Sequence, residues 1–396
     1  MSLLLFLLQS YVLFALLYLF FPLIGAFRAR VRCHPPLPPG KGKNCFAVLI
    51  PAHDEEIVLP RLLESLEKQL YPFFEIFVVA DNCRDKTAKV TKMAKNRKAR
   101  VFERFTKGPS TKSQALRYLW GKIPDKERFD VVLVLDADNL LPPDFLAAVD
   151  EEMGTGAKVV QGMRRPKNPF VSPSSSLDYL SEAISLRIGG EGRREMGLSG
   201  TITGSGVAYE RRIFEDLLEK SSDSLVEDCE WQLILMLKGE KISFSPRAMV
   251  WDEKTDNFRD LTVQRTRWIG GKYRLIPKYF PRFLRAFLAG RWDGLDGMLY
   301  LLSIPPRSLF LALSLCFSAL ALFSVDGIWP IWPPFFLLWP AYFLAGMLME
   351  RASLRAYAAI LFLPAWVFRI LWASLLAFRP RTVWVPTVHR HELSKD

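Results

Sequence analysis

Cysteine and histidine are scarce in this chain of 396 residues, which contains five cysteines and four histidines. The cysteines are widely spaced and form no Cys-x-x-Cys pair, so the common zinc-binding spacings are excluded. An RNA-binding aromatic motif and a basic low-complexity tail are also absent, so the net charge of +12 does not indicate nucleic acid as a partner. Basic residues near the apolar segments instead suit the anionic surface of a lipid bilayer.

Charge is absent from residues 1–27. Residues 3–23 are mostly Leu, Phe and Tyr, a length that can cross a hydrocarbon core of about 30 Å. The segment lacks a basic start and a small-residue cleavage site, so we interpret it as a transmembrane anchor and not as a signal peptide. Arg28, Arg30 and Arg32 follow directly, which predicts that the next domain lies in the cytoplasm.

The rest of the chain divides by composition. The expected segments are a proline-rich linker (28–44), an α/β domain (45–257), aromatic and basic interfacial helices (258–298), three apolar stretches (299–378) and a tail (379–396). Four spans would put both termini outside the cell, whereas Arg379 and Arg381 favour a cytoplasmic tail. One C-terminal segment is therefore expected to be re-entrant or interfacial.

Four short apolar runs alternate with helical patterns in the first part of the α/β domain. The runs cover residues 46–50, 76–79, 101–102 and 131–135. This alternation predicts an α/β fold with a parallel sheet and βαβ crossovers. Asp54 is expected to cap a helix that starts at about Glu55, and residues 189–194 are expected to form a mobile basic loop.

Two carboxylates, Asp136 and Asp138, directly follow the apolar run at residues 131–135. In an open α/β sheet, ligands bind at the carboxyl ends of the strands. Two neighbouring acids repel each other, and Mg²⁺ or Mn²⁺ takes oxygen ligands and usually shares them with phosphates. The pattern predicts a metal site; the alternative is a polar turn capped by Asp136.

Asp81 and Lys112 are candidates for contacts with a nucleotide. Asp81 ends the second predicted strand, where a carboxylate can accept hydrogen bonds from a base or a ribose. The alternative for Asp81 is a local turn with Asn82. Lys112 could pair with a phosphate, and the alternative is a solvated surface lysine.

Glu227 and Asp228 form a second acidic pair. Ser224 stands three residues before Glu227, which is a capping-box spacing, and acids are favoured in the first turn of a helix. Asp228 has no such structural reason beyond the helix dipole, so it is a candidate general base for an attacking hydroxyl. The glycines at 204 and 206 predict a turn that a ligand or another backbone segment approaches closely.

The sequence Gln264-Arg265-Thr266-Arg267-Trp268 has two interpretations. It fits an interfacial helix with arginines that reach toward the membrane surface. Alternatively, Arg267 faces a diphosphate and Trp268 forms a wall for a sugar. Periodicity alone favours the membrane interpretation.

These motifs together resemble the membrane-integrated branch of family 2 glycosyltransferases, which includes cellulose, chitin and hyaluronan synthases and ceramide glucosyltransferase. The motifs occur in the family's order over residues 45–270. They are Pro51-Ala52-His53-Asp54-Glu55, Ala80-Asp81-Asn82, Asp136-Ala137-Asp138, Glu227-Asp228 and Gln264-x-x-Arg267-Trp268. Asp54 is a departure, because the family often has Asn there. The small membrane region is another, and it keeps a single transfer to a lipid open beside polymer synthesis.

The resemblance implies a GT-A (Rossmann-like) fold and an inverting transfer from a nucleotide sugar, commonly a UDP-sugar, to a polysaccharide or lipid. It implies Mg²⁺ or Mn²⁺ as cofactor, held by Asp138 with Asp136, and Asp228 as the general base. The implied donor-binding residues are Pro51, Ala52, Asp54, Glu55, Asp81, Lys112, Asp136, Gln264, Arg267 and Trp268. The implied acceptor-side residues are Gly204, Ser205, Gly206, Glu227 and Trp268. The implied location is the plasma membrane, with the catalytic domain in the cytoplasm.

Three other classes compete with this interpretation. A transporter fits poorly, because about half of the chain is an α/β domain. A non-catalytic nucleotide-binding membrane scaffold would not need the full set of acids. A nucleotidyltransferase usually has a glycine-rich loop after its first strand, and Pro51-Ala52-His53 is not one.

Overall fold

The structure, a computed structural model, describes residues 3–31, 43–93, 99–108 and 110–379. Most of the expected linker (28–44) and nearly all of the expected tail (379–396) lie outside these residues. The chain forms two compact units. The described residues of the sheet unit are 43–93, 99–108, 110–169 and 198–254, and those of the apolar unit are 3–31, 170–197 and 255–379.

The described residues of the sheet unit form seven strands and most of the shorter helices. The strands are β1 (Phe46–Ala52), β2 (Phe74–Asp81), β3 (Ala99–Arg104), β4 (Val131–Val134), β5 (Val159–Pro166), β6 (Val207–Glu210) and β7 (Ile242–Asp252). The helices before residue 170 are α1 (Leu3–Phe20), α2 (Pro22–Val31), α3 (Leu59–Glu67), α4 (Thr87–Met93), α5 (Lys112–Lys122) and α6 (Phe145–Gly154). Of these, α1 and α2 belong to the apolar unit.

The later helices belong to both units. They are α7 (Pro173–Ile184), a π-helix (Ser185–Gly192), α8 (Arg193–Glu195), α9 (Arg211–Lys220), α10 (Glu227–Lys238), α11 (Phe258–Leu288), α12 (Trp292–Leu302), α13 (Arg307–Leu322), α14 (Trp332–Met349), α15 (Leu354–Ala359) and α16 (Leu363–Leu376). Single turns of 3₁₀ helix lie at Lys126–Arg128 and Ile360–Phe362.

The sheet has the strand order β3-β2-β1-β4-β6-β5-β7. The predicted parallel βαβ arrangement is confirmed for β1 to β4, which pair in parallel. The second half is mixed, because β6 runs antiparallel to both β4 and β5. As β2, β1 and β4 are neighbours and parallel, their carboxyl ends lie side by side at one edge of the sheet.

The core of the sheet unit explains the strand and helix patterns. The residues of β4 are apolar and buried on both faces, as the continuous run predicted. Leu59, Leu62 and Leu63 of α3 are also buried, which confirms the predicted apolar stripe. The predicted helix start at Glu55 is wrong, since α3 begins at Leu59.

The apolar unit contains three helices long and apolar enough to cross a membrane. Among the residues that the structure describes, these are Leu3–Ala29, Trp332–Met349 and Leu354–Leu376. Helices α12 and α13 pass the same test together, but they meet at a bend of 75°. The break between them, at residues 303–306, contains Pro305 and Pro306, and Pro306 is the N-cap residue of α13.

The predicted mobile basic loop at residues 189–194 is wrong. The segment continues α7 as a π-helix, and Gly190, Gly192 and Arg193 are buried. A Cβ on Gly25 of α2 would lie 2.0 Å from the carbonyl oxygen of Gly192, so glycine permits this close contact between the two backbones. Tertiary packing, which glycine-rich sequence does not reveal, therefore orders the segment.

Candidate active site

The ends of β2, β1 and β4 bring several of the predicted residues to one edge of the sheet. Asp81 is the last residue of β2, and Pro51 and Ala52 end β1. Asp136 follows β4 after one further residue. The predicted positions of Asp81 and Asp136 at strand ends are confirmed, and the parallel pairing of β1 with β2 and β4 puts these ends at one edge.

Asp81 is held by a buried ion pair. Its Oδ1 accepts a hydrogen bond of 2.8 Å from Nη1 of Arg104, which also donates to the Ser110 hydroxyl at 2.5 Å. The alternative turn with Asn82 does not use the Asp81 side chain, because Asn82 bonds Thr106 instead. Asp81 is 6% exposed, and its Oδ2 accepts no hydrogen bond from any residue that the structure describes. Asp81 thus presents one carboxylate oxygen as an acceptor.

Asp54 organises the loop after β1 and does not cap a helix. It has a positive φ of 56°, and its Oδ1 accepts hydrogen bonds from the backbone N–H groups of Arg84 (2.7 Å) and Asp85 (3.3 Å). The N–H of Glu55 donates to Thr87 at 2.8 Å. These bonds join the loops that follow β1 and β2. The left-handed backbone at Asp54 is compatible with Asp, one of the few residues that tolerates it.

The Asp136-to-Asn139 turn is supported from below by buried polar side chains. The backbone N–H of Asp136 donates to Asn139 Oδ1 (3.0 Å) and Ser205 Oγ (2.9 Å). Asp138 is 7% exposed, and its carboxylate accepts from Asn139 Nδ2 (3.2 Å) and the N–H of Glu253 (3.1 Å). Asn139 and Ser205 are fully buried and bonded to each other. The Ser205 side chain therefore supports the turn and does not line an acceptor surface.

Lys112 joins the two acidic pairs. Its Nζ donates to Asp136 Oδ1 (2.5 Å) and to the carbonyl oxygen of Gly204 (2.6 Å), and it lies 3.8 Å from Glu227 Oε1. Burial lowers the pKa of Lys112, but the attraction of Asp136 and Glu227 outweighs burial, so the pKa is raised. The surface-lysine alternative is excluded by these contacts.

Glu227 begins α10 without the expected capping box. The N-cap residue is Val226, which makes no side-chain cap, and Ser224 accepts from the N–H of Val226 instead. Burial raises the pKa of Glu227 from 4.5 to about 7, opposed by Lys112 and reinforced by Asp228. The capping explanation for Glu227 is thus wrong, and the residue is held in an environment that disfavours its charge.

Asp228 lies against the glycine turn. Its Oδ1 accepts from the N–H of Cys229 at 2.7 Å, and a Cβ on Gly204 would lie 3.2 Å from its Oδ2. Gly204 and Gly206 have positive φ values of 81° and 66°, so the turn requires a backbone conformation that favours glycine. The sequence predicted a close approach by a ligand or a backbone segment, and the structure shows the Asp228 side chain in that position.

Gln264, Arg267 and Trp268 lie on α11 in the apolar unit, and the other predicted residues lie in the sheet unit. The sequence did not predict Asp178, the ion-pair partner of Arg265 within this motif. Arg265 forms an ion pair with the buried Asp178 of α7, and its guanidinium lies 4.7 Å from the centre of the Trp268 ring. Sequence spacing gave no signal for Asp178 or Arg104, because the acidic or basic partner of each is distant along the chain.

An α/β sheet with an acidic Asp-x-Asp turn at its carboxyl edge is the arrangement of GT-A enzymes. A family profile described as "Glycosyltransferase like family 2" matches residues 43–271, which is more than half of the chain. The chain belongs to this family.

Similar proteins include a "Probable glycosyltransferase YdaM" of Bacillus subtilis, 28% identical over 285 residues that cover 68% of this chain and 66% of the relative. A "Poly-beta-1,6-N-acetyl-D-glucosamine synthase" of Staphylococcus aureus is 23% identical and covers 59% of this chain and 55% of the relative. The chain thus spans less than two thirds of the length of these relatives. The solved mannosyltransferase PcManGT of Pyrobaculum calidifontis, in complex with GDP-Man and Mn²⁺, has a TM-score of 0.51 at 17% identity, covers 87% of this chain and 99% of its own, and shares the fold.

Proposed function

We propose that this glycosyltransferase is membrane-bound and transfers a sugar, with inversion, from a nucleotide sugar to a carbohydrate or lipid acceptor. One observation carries the proposal: Lys112 bridges the acid pair at the strand end to the acid pair at the start of α10. The first pair, Asp136 and Asp138, can hold a metal ion that binds the diphosphate of the donor. The second pair, Glu227 and Asp228, can take a proton from the acceptor hydroxyl.

The donor set fits a divalent cation. Asp136 and Asp138 offer carboxylate oxygens, and the ammonium of Lys112 already lies beside Asp136 as a cation. We assign Asp138 and Asp136 as ligands of Mg²⁺ or Mn²⁺, which the Mn²⁺ in the PcManGT complex supports by analogy. Such an ion supplies charge stabilisation to a departing diphosphate. Lys112 adds positive charge for the same group.

Asp81 restricts the class of base. Its carboxylate, held by Arg104, only accepts hydrogen bonds, so it favours a base that presents a ring N–H. Uracil and guanine present one, whereas cytosine and adenine present a ring nitrogen acceptor in its place. A UDP-sugar is the proposed donor, and a GDP-sugar, as bound by PcManGT, is the second candidate. Pro51, Ala52, Asp54 and Glu55 shape the neighbouring loop.

Asp228 is the proposed general base. It stands beside Gly204, whose carbonyl oxygen accepts a hydrogen bond from Lys112, and there it would deprotonate an acceptor hydroxyl. A base that faces the sugar from the side opposite its diphosphate produces inversion. Glu227, Gly204 and Gly206 are then the proposed residues of the acceptor side.

We assign residues 1–27 as an anchor, residues 45–257 as a cytoplasmic catalytic domain, residues 258–298 as interfacial helices and residues 299–378 as the C-terminal membrane region. The plasma membrane is the proposed location. The similarity to a poly-N-acetylglucosamine synthase favours polymer synthesis, whereas the few candidate spans favour a single transfer to a lipid.

A donor screen tests the proposal. Purified protein is incubated with UDP-, GDP-, CDP- and ADP-sugars, with and without Mn²⁺, and released nucleotide is measured. We expect release from a UDP- or GDP-sugar only, and only with the metal ion. The matched control is Asp138→Asn, which should fold and release nothing. Equal release in excess chelator would contradict the metal assignment, and release from CDP-sugars alone would contradict the role of Asp81.

A further inference from the structure

The start of α13 in the apolar unit carries an arginine whose partners are all neutral. Nη2 of Arg307 donates to Ser185 Oγ (2.6 Å) and to the Ser181 carbonyl (2.8 Å) and hydroxyl (3.0 Å). Nη1 donates to the Tyr342 hydroxyl at 3.2 Å. No carboxylate lies within ion-pair distance of Arg307 among the residues that the structure describes.

Other arginines of this unit have acidic partners. Arg187 pairs with Glu350 (3.1 Å) and Glu191 (2.8 Å), and Arg193 pairs with Asp296 (2.7 Å). Arg307 is half-buried among apolar helices, where a charge without a counter-ion is costly. Because the described partners of Arg307 are neutral, an external anion would serve as its counter-ion.

The helix end adds to this positive charge. Helix α13 has 16 residues, and its N-cap, Pro306, provides no side-chain hydrogen bond. The first N–H groups carry a partial positive charge, so a cation at the first helical position is unfavourable unless an anion is present. Helix starts of this kind are ready anion sites.

Ser308, the second residue of α13, provides an independent indication. It is 4% exposed, and its hydroxyl has no hydrogen-bond partner within the described residues. Helical side chains lean toward the helix N-terminus, so this hydroxyl lies at the same end as Arg307. A buried hydroxyl without a partner is costly, and a ligand oxygen would satisfy it.

We infer that Arg307, Ser308 and the first N–H groups of α13 bind the phosphate group of a lipid. The guanidinium and the helix start match phosphate oxygens, and the surrounding apolar helices match the acyl chains. An arginine that merely reaches into water would not be fixed by Ser181, Ser185 and Tyr342. The inference uses the proposed membrane location of this unit but not the proposed catalysis.

Lipid binding to the purified full chain in uncharged detergent tests the inference. Phosphatidic acid is titrated against phosphatidylcholine with the same acyl chains, and bound lipid is counted by native mass spectrometry. We expect Arg307→Gln to weaken phosphatidic acid binding by about tenfold or more, and Ser308→Ala to weaken it less. Arg369→Gln is the matched control, because Arg369 is an exposed arginine of α16 and its loss should leave binding unchanged.

Two results would overturn the inference. One is equal binding of phosphatidic acid by Arg307→Gln and Arg369→Gln. The other is displacement of phosphatidic acid by inorganic phosphate at equal concentration, which would identify a free-phosphate site. Should Arg307→Gln fail to fold, as seen by a lipid-free melting curve, Ser308→Ala decides: unchanged binding overturns the inference. Donor turnover is measured in the same samples, so loss of catalysis is distinguishable from loss of lipid binding.

Discussion

At the scale of single residues, Lys112 is the centre of the proposed site. Its ammonium contacts Asp136 and the Gly204 carbonyl and approaches Glu227. A metal ion that binds Asp136 must compete with this ammonium, whereas a diphosphate is attracted by it. Lys112 should therefore oppose binding of the metal alone and favour binding of the complete donor.

Lys112→Met tests whether Lys112 has these opposite effects on binding of the metal alone and of the complete donor. We expect tighter binding of Mn²⁺ alone and weaker binding of the nucleotide sugar with Mn²⁺, the latter by about tenfold, because a charge-assisted hydrogen bond contributes about 1.5–3 kcal/mol. Isothermal titration calorimetry measures both affinities. Lys122→Met, at the exposed end of α5, is the control and should change neither. A parallel change of both affinities in Lys112→Met would contradict the assignment.

The raised pKa of Glu227 predicts a pH dependence of stability. The native state holds the Glu227 proton up to about pH 7, whereas the unfolded chain releases it near 4.5. The native state therefore binds more protons within this window, so this group's contribution to the free energy of unfolding falls as the pH rises from about 4.5 to 7. Melting curves of the wild type and Glu227→Gln should differ in slope over this window. Parallel curves would show that Glu227 titrates normally.

The acids could be predicted from the sequence, but their supports could not. Asp136 and Asp138 follow a run of Val and Leu, and a strand end is visible in one sequence. Asn139 and Ser205, which hold their turn, are polar residues of ordinary type, and their bond joins positions far apart in the chain. The capping box at Ser224 failed because the local chain uses Val226 as N-cap.

At the scale of elements, the turn between residues 203 and 206 contacts both Lys112 and the second acidic pair. Its Gly204 contacts Lys112 through the carbonyl oxygen and leaves room for Asp228. Such a turn combines a left-handed backbone with a close side-chain contact. Both features disfavour a Cβ at residue 204.

Gly204→Ala should therefore lower both stability and turnover. Placing alanine at a φ of 81° costs about 1 kcal/mol or more, and its Cβ would displace Asp228. Gly121→Ala is the matched control, because Gly121 lies in α5 with open space around its Cβ position, and it should stabilise the protein by about 0.5–1 kcal/mol. Thermal melting and nucleotide release measure the two effects. Wild-type turnover in Gly204→Ala would show that Asp228 is not positioned by this turn.

Regular elements were more predictable than irregular ones. The buried runs of β1, β2 and β4 and the Leu stripe of α3 follow from periodicity. The antiparallel β6 has only four residues, too short a run to reveal its direction. The π-helix at Ser185–Gly192 depends on contact with α2, and its glycines read as a loop when considered locally.

At the scale of the whole molecule, the chain combines an α/β sheet with helices long enough for a membrane. Deleting residues 1–27 should leave the protein membrane-bound, because Trp332–Met349 and Leu354–Leu376 remain. Fractionation after an alkaline carbonate wash checks this, with the full chain as control. Recovery of the truncated protein in the soluble fraction would contradict the assignment of C-terminal spans.

The composition of the chain predicted these apolar segments, because length and hydropathy are local properties. The bend of 75° between α12 and α13 could only be suspected from Pro305 and Pro306. The side of the membrane on which the C-terminus lies stays a prediction.

The most direct test of the central claim is the comparison of donor binding and turnover in Asp228→Asn. Asparagine keeps the size of the side chain but cannot take a proton at neutral pH, and loss of a general base costs about 10²–10⁴ in rate. We expect near-normal binding of the nucleotide sugar and turnover reduced by about a hundredfold or more, with a smaller loss in Glu227→Gln. Near-normal turnover in Asp228→Asn would contradict the account and move the base to Glu227 or Glu230.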